Sequence, residues 1–418
     1  MRDQSRARSS NVLPLVLLLA SSCGSSGDGG DATDAATDQG TPGDSIVPGD
    51  GDRLDTLVTD TGSDVASDTT TGGDADATPP VDTLEVLYVG GGSGKISMFG
   101  VDPSSGALTA KGDVVAGDYP SFLAFDVAHL RLFSVLENGN KVASFSIAKG
   151  TGALTKINEV ASPGEPTHVS VDRSGKYAMV ANYGAGTTVV FAIGADGSLG
   201  APTDNKSPGT NSHQIITDPS NAFAFVVNKG SDTVSQYVFD AAKGTLTASA
   251  TPRLTVPAGT GPRHLAFHPD GKHAYLMDEL NSTMTALSYD AAKGTLASIQ
   301  TLSTLPAGFT GTNTGAEVQI APSGKFVYGS NRGHDSIVIY SVDATTGKLT
   351  LVGHEPTGGT TPRHFSVDDA GTFLFAANQG SSNVVTFRID ATKGTLTKLT
   401  TTTISSAAYF AAAAQIPK

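Results

Sequence analysis

Residues 262–289 read Pro262-Arg-His-Leu-Ala-Phe-His-Pro-Asp-Gly271, Lys272-His-Ala-Tyr-Leu-Met277, Asp278-Glu-Leu-Asn-Ser-Thr283, Met284-Thr-Ala-Leu-Ser-Tyr289. The segments are four to seven residues long and are bounded by turn-forming clusters. Such runs read as short β-strands of a small antiparallel sheet. The unit ends on Gly294-Thr-Leu296, and the same Gly-x-Leu turn recurs at Gly106, Gly152, Gly197, Gly244, Gly347 and Gly394. The intervals run from 45 to 53 residues. A period of that size built from strands marks a repeat array.

Each unit shows three strands before its Gly-x-Leu turn and a fourth after it, so the expected fold is all-β: a seven-bladed β-propeller with four-stranded antiparallel blades. The first unit begins at Leu84-Glu-Val-Leu-Tyr-Val-Gly90, which corresponds to the second strand of the others. The tail Ser406-Ala-Ala-Tyr-Phe-Ala-Ala412 is one strand too many. Together the N- and C-terminal strands complete a blade and close the ring, which removes the exposed edges of an open array.

Composition agrees with that reading. Of 418 residues, 49 are Gly and 21 Pro, and only 16% are charged, which argues against helical bundles and coiled coils. One Cys excludes a disulfide framework and any site built from several thiolates. The net charge of -13 is carried almost wholly by residues 24–83, where fourteen Asp face one Arg. The remainder from residue 84 is nearly neutral, and no nucleic-acid partner is expected.

Three arginines in the first eight residues, an apolar stretch from Val12 to Ala20 and small residues before Cys23 have the layout of a secretory signal. It is too short for a permanent membrane span. The segment around Cys23 resembles a bacterial lipobox, with Ala20 where that pattern usually has Leu. Residues 1–23 are thus expected to be a lipoprotein-type signal with Cys23 the lipidated residue. Residues 24–83 are expected to be a disordered tether, because Asp, Gly, Thr and Ser cannot bury enough surface to offset ordering entropy. The propeller is expected over 84–418. The chain would then be an exported monomer whose only membrane attachment is a lipid anchor.

In an up-and-down blade, the start of the innermost strand and the end of the second lie on one face of the ring, bordering one mouth of its channel. The Asp-Gly and Gly-x-Leu turns fall on the other face. This sorting places His168, His213, His264, His334 and His364 on the mouth side, with Arg263, Glu279, Glu317, Arg332 and Arg363. His168, His264 and His364 repeat one register, which suggests packing between blades. Residues that break the repeat are more informative: His213, Arg263 and Arg363 share a register with Thr167 and Ala316, and Glu279 shares one with Tyr183, Lys229, Arg332 and Gln379. Asn182, Asn228, Asn331 and Asn378 precede a Gly by two residues and are expected to be left-handed turn residues. His264 and His268 have the spacing of a helical metal pair but lie on a strand, so zinc is not expected. Gly90-Gly-Gly-Ser-Gly-Lys95 fails as a phosphate loop, since Val89 and Ile96 stand at required positions. A mouth of this kind could support hydrolysis at a polar carbonyl, with a carboxylate or imidazole taking a proton from water and arginines stabilising the oxyanion.

Gly261-Pro-Arg-His-Leu-Ala-Phe-His-Pro-Asp-Gly-Lys272, Ser330-Asn-Arg-Gly-His-Asp-Ser-Ile337 and Thr361-Pro-Arg-His-Phe365 resemble the seven-bladed propeller lactonase family, which includes bacterial 6-phosphogluconolactonases and fungal carboxymuconate cyclases. The resemblance covers about residues 85–415. It implies hydrolysis of a sugar lactone to the acid without a metal or other cofactor. By position, His213, Arg263, Glu279 and Arg332 match residues around the family's site. Here Glu279 or His213 would activate water, Arg263 and Arg332 would hold anionic oxygen, and His264, Glu317, His334 and Arg363 would border the substrate. The chain departs from the pattern at Asn211-Ser-His213, where many members carry His-x-His. A phosphorylated lactone is a cytosolic metabolite, so an exported chain points to a different lactone or to lost catalysis. The other classes weighed are a non-catalytic surface propeller binding protein or glycan, and a muconate-type cyclase.

Overall fold

A computed structural model describes residues 82–418, so Cys23, the signal and almost all of the tether lie outside the described residues. The described residues form 28 strands in seven four-stranded antiparallel sheets. Blades two to seven occupy residues 122–161, 166–206, 212–255, 262–303, 314–356 and 362–403, each in simple sequential order. Blade one combines the C-terminal strand Ala408–Pro417 with Thr83–Gly91, Lys95–Val101 and Leu108–Val115. The terminal strands pair from Thr83 opposite Pro417 to Gly90 opposite Phe410. Closure by both ends is therefore as expected, with a C-terminal strand that runs on to Pro417.

The second strand of each blade is apolar at almost every position because both of its faces are buried. Val86 and Tyr88 pack toward blade two, while Leu87 and Val89, on the other side of the pleat, pack toward blade seven. Blade seven repeats this, with Leu374 and Ala376 facing blade six and Phe373, Phe375 and Ala377 facing blade one. Seven apolar clusters result, one at each junction between neighbouring blades. Full burial of one such Phe, Leu or Val side chain contributes about 1.5–3 kcal/mol, so the ring is held by its radial seams.

The Gly-x-Leu turns lock these seams. Gly244, Gly294 and Gly394 have φ of +67°, +64° and +73°, a region that favours glycine. A Cβ at those positions would meet Tyr177, Phe223 and Phe326 of the preceding blade at 2.1, 2.1 and 2.3 Å. The buried hydroxyls of Tyr88, Tyr275 and Tyr328 reach across to donate to the carbonyls of Gly152, Gly347 and Gly394 at 2.7, 3.0 and 3.0 Å. The periodic glycine is thus a contact between blades as well as a turn.

Asn182, Asn228, Asn331 and Asn378 correct an expectation. They end strands, are fully buried, and Asn228 has φ of -113°, so left-handed geometry is not why Asn stands there. Their amides tie the mouth-side turns together: Asn182 accepts from Ser162, Asn228 from Ser212 and Asn331 from Thr304, at 2.8, 2.9 and 2.7 Å. The left-handed residues follow several positions later, at Asp232, Asp335 and Ser382.

Candidate active site

Two backbone devices aim side chains at the mouth. First, the residue entering the innermost strand is left-handed in five blades: Tyr119, Glu165, Asn211, Gly261 and Thr361, with φ between +53° and +68°. Their carbonyls accept the N–H of Glu137, Tyr183, Lys229, Glu279 and Gln379, clamping the start of the first strand to the end of the second. Second, pairing of those strands slips by one residue between Pro166 and His168, Ser212 and Gln214, Pro262 and His264, and Pro362 and His364. Each slip is a β-bulge, which leaves one residue outside the ladder and re-aims its side chain. Thr167, His213, Arg263 and Arg363 are those residues. In blade six the slip spans Gly315 to Val318 and takes in Ala316 and Glu317.

The mouth holds a pocket of about 180 Å³ lined by His213, Glu279, Arg332 and Arg363 together with Glu137, Glu165, Thr167, Tyr183 and Lys229. Glu279 is its electrostatic centre. Its Oε2 lies 3.1 Å from Arg263 Nε and 3.1 Å from Arg332 Nη2, and its Oε1 accepts from Lys229 Nζ. Arg263 Nε is too poorly aligned to donate to the carboxylate. The arginines are anchored in turn by Arg263 Nη1 to Ala316 O at 2.7 Å and Arg332 Nη2 to Gly315 O at 3.0 Å. Burial by itself would raise the Glu279 pKa, but Arg263, Arg332 and Lys229 outweigh it and bring it down to about 2. Arg263 is lowered to about 9, by burial first and then by Arg332. His213 is held well below its ordinary value by burial and by Arg263, so its imidazole is neutral. Buried Nδ1 of His213 and Nε of Arg332 have no hydrogen-bond partner among the described residues.

Beneath the pocket the channel is filled. The next register around the ring is Phe122, His168, Gln214, His264, Glu317, His364 and Phe410, one side chain from each blade. Phe122 stacks on His168 at 4.3 Å and on Phe410 at 4.6 Å, and Phe410 on His364 at 3.9 Å. Glu317 Oε2 bridges His264 Nδ1 at 2.8 Å and His364 Nε2 at 3.3 Å. The Nδ1 of His364 lies 3.1 Å from the Ala411 carbonyl and must donate to it. Its Nε2 therefore presents a lone pair to Glu317, and a proton resides between the two. Burial raises the Glu317 pKa, which favours that arrangement.

The structure therefore brings His213, Arg263, Glu279 and Arg332 together, with Arg363 on the pocket wall. It corrects three placements. His264 and Glu317 lie in the plug, 1% and 5% exposed, and support Arg263 from below rather than line the pocket. His334 turns toward the outer strands, its Nδ1 2.7 Å from Ser336 Oγ and its ring against Phe309 and His354. Sequence reasoning missed Glu137, Glu165, Tyr183 and Lys229 as pocket residues. The signal was present for three of them, since Glu137, Tyr183 and Lys229 share the register of Glu279. His268, on the opposite face, sits with Asp270 and His273, and both imidazole Nδ1 atoms contact Asp270 at 3.0 and 2.7 Å. Asp270 also accepts the Lys272 N–H at 2.8 Å, so the trio organises the turn that other blades build on Asp172, Asp218 or Asp368.

The family model for the seven-bladed β-propeller lactonases matches residues 86–410. The chain belongs to this lactonase family. Among curated relatives, the 6-phosphogluconolactonase of Bacillus subtilis is 34% identical over 291 residues, covering 66% of this chain and 82% of that protein. The 6-phosphogluconolactonase of Pectobacterium carotovorum is 37% identical over 225 residues, 54% of this chain and 67% of that protein. Among solved structures, the periplasmic gluconolactonase of Pseudomonas aeruginosa superposes with a TM-score of 0.73 at 29% identity, over 80% of this chain and 99% of that one. The lactonase family thus shares both the ring and the stretch of chain that builds this mouth. Among the described residues no helix is long and apolar enough to cross a membrane.

Proposed function

We propose that the protein hydrolyses a sugar lactone, an aldonolactone, to the open acid. The observation that carries the reading is the meeting of a neutral imidazole, His213, with two guanidinium groups fixed on one buried carboxylate. A water positioned by His213 adds its oxygen to the lactone carbonyl as the imidazole takes its proton. Negative charge growing on the carbonyl oxygen is stabilised by Arg263 and Arg332, which need no reorganisation because Glu279 already holds them. Collapse breaks the ring C–O bond, and the proton on His213 passes to the departing oxygen. Glu279, at about 2, is too weak a base for this step and acts as the organiser of the arginines.

Acid release from δ-gluconolactone by the purified protein, read by pH indicator above the spontaneous rate, tests the reading. Catalysis with an acid limb in kcat/KM below pH 6.5 is expected, because His213 stays deprotonated down to its lowered pKa. His213→Ala should lose about 10²–10⁴-fold. No excess over spontaneous opening across several aldonolactones overturns it.

The same reading places the enzyme outside the cytoplasm, tethered by a lipid on Cys23. Support comes from the layout of residues 1–23 and from the periplasmic location of the Pseudomonas aeruginosa gluconolactonase. Cys23→Ser should abolish labelling by a radioactive fatty acid and release the chain from the membrane fraction. Unchanged labelling removes the anchor.

A further inference from the structure

Resting on the lactonase reading, we infer that Glu137 and Glu165 are specificity-determining residues, a carboxylate wall that admits uncharged polyhydroxy lactones and rejects phosphorylated ones. Charge balance supports this. A phosphate dianion is recognised where cations exceed carboxylates and offer unengaged donors. Here Lys229, Arg263 and Arg332 all converge on Glu279. The fourth cation, Arg363, lies 5.7 Å over the ring of Tyr409. Glu137, Glu165 and Glu279 oppose these four cations, which leaves one positive charge in excess, short of the two a dianion calls for.

The placement of the carboxylates does too. His213, Lys229, Arg263, Glu279 and Arg332 come from blades four to six, whereas Glu137 and Glu165 come from blades two and three across the mouth. A lactone with its carbonyl at the arginines directs other parts of its polyol body toward the two carboxylates. Carboxylates accept hydrogen bonds from sugar hydroxyls and repel a phosphate. A phosphate that avoided the wall could gain cations only by displacing Glu279, which would disassemble the group that stabilises the oxyanion.

The wall is also held in place by its surroundings. Glu165 is held in a left-handed conformation, φ +62°, an uncommon one for its residue type. The Asn140 side chain fixes it there by accepting the N–H groups of Gly164 and Glu165 at 3.1 and 2.8 Å. Its Oε2 comes within 2.9 Å of where a Cβ on Gly184 would lie, so glycine at 184 leaves the carboxylate its place. Glu137 Oε2 is buried yet has no partner among the described residues, an acceptor awaiting a donor.

The test uses the full chain in detergent, as wild type, Glu137→Gln, Glu165→Gln and the double variant. Two readouts are taken: kcat/KM for δ-gluconolactone and for its 6-phosphate ester, and calorimetric binding of 6-phosphogluconate. Wild type is expected to favour the neutral lactone by at least about ten-fold, and the double variant to shift that ratio toward the phosphate ester by about ten-fold or more. Binding of 6-phosphogluconate should strengthen in the variants by a similar factor. A wild type that prefers the phosphate ester, or a ratio and a binding constant that neither variant moves, overturns the wall. Absence of turnover on both lactones fails the lactonase reading instead, and the binding series still decides whether these carboxylates exclude phosphate.

Discussion

Glu279→Ala lowers kcat/KM on a hydrolysable aldonolactone by about 10²–10³-fold, the scale of losing an oxyanion stabiliser, although Glu279 itself never touches the transferred proton. The reason is that Arg263 is 3% exposed and leans on this carboxylate, as do Arg332 and Lys229. Removing the anion leaves three cations crowded in a partly dehydrated pocket. Breaking one partner of a buried ion network costs about 3–5 kcal/mol of stability, so the urea midpoint should fall as well. The two effects separate in a second variant. Glu279→Ala with Arg332→Ala removes one of the opposed charges, and its stability loss should be smaller than the sum of the single losses. Added formate, a carboxylate small enough for the vacated space, should restore part of the activity to Glu279→Ala and none to His213→Ala. A Glu279→Ala enzyme with unaltered kcat/KM would mean the arginines are held by something else and that the proposed centre is wrong.

Much of this architecture is readable without coordinates, for a physical reason. Gly-x-Leu recurs because each glycine must take positive φ against a side chain of the preceding blade, so its spacing reports the blade itself. The assignment of Arg263, Glu279 and Arg332 to one mouth follows from antiparallel pairing, which puts the start of one strand beside the end of the next. What is not readable is side-chain depth. Arg263 is itself the bulge residue and His264 its neighbour, and the slip sends the first toward the pocket and the second into the plug. Phe122, Gln214 and Phe410 share the plug register with His264, but their residue types have nothing in common and only pairing partners reveal the layer. His334 shows the same limit in a turn, where a hydrogen bond to Ser336 decides which way an imidazole points. Glu137 is hidden in the sequence because it follows Leu136 where four other blades have Asn, so the repeat is broken one residue earlier.

The buried imidazoles at and beneath the mouth also contribute an acid-labile part of the stability, beginning below pH 6.5. His168, His213 and His264 are held well below that value, chiefly by burial, and His364 is brought to about 4. In each case the folded pKa lies below the unfolded one, so the native state binds fewer protons. The stability these neutral imidazoles contribute is complete above 6.5 and is lost as pH falls toward the folded values. For His364, the interval from 6.5 to about 4 amounts to about 3 kcal/mol, at 1.36 kcal/mol per unit. Four such groups act together against a domain stability of about 5–15 kcal/mol. Glu279 adds a further loss below 4.5, its own unfolded value. Glu317 works the other way: burial raises its pKa, so the native state takes up that proton first and gains as pH falls through the folded value toward 4.5. Glu85 and Asp278, raised to about 7 mainly by burial, gain over the same interval, so the acid loss carried by the imidazoles is read residue by residue. His168 is the residue to change, because its buried Nδ1 has no hydrogen-bond partner to lose among the described residues and its ring already packs on Phe122. His168→Phe should match wild type at pH 7.5 and retain more of its midpoint at pH 5. Equal losses of midpoint in wild type and His168→Phe between pH 7.5 and 5 would show that His168 titrates as it does in water, and that the channel is open to solvent rather than plugged.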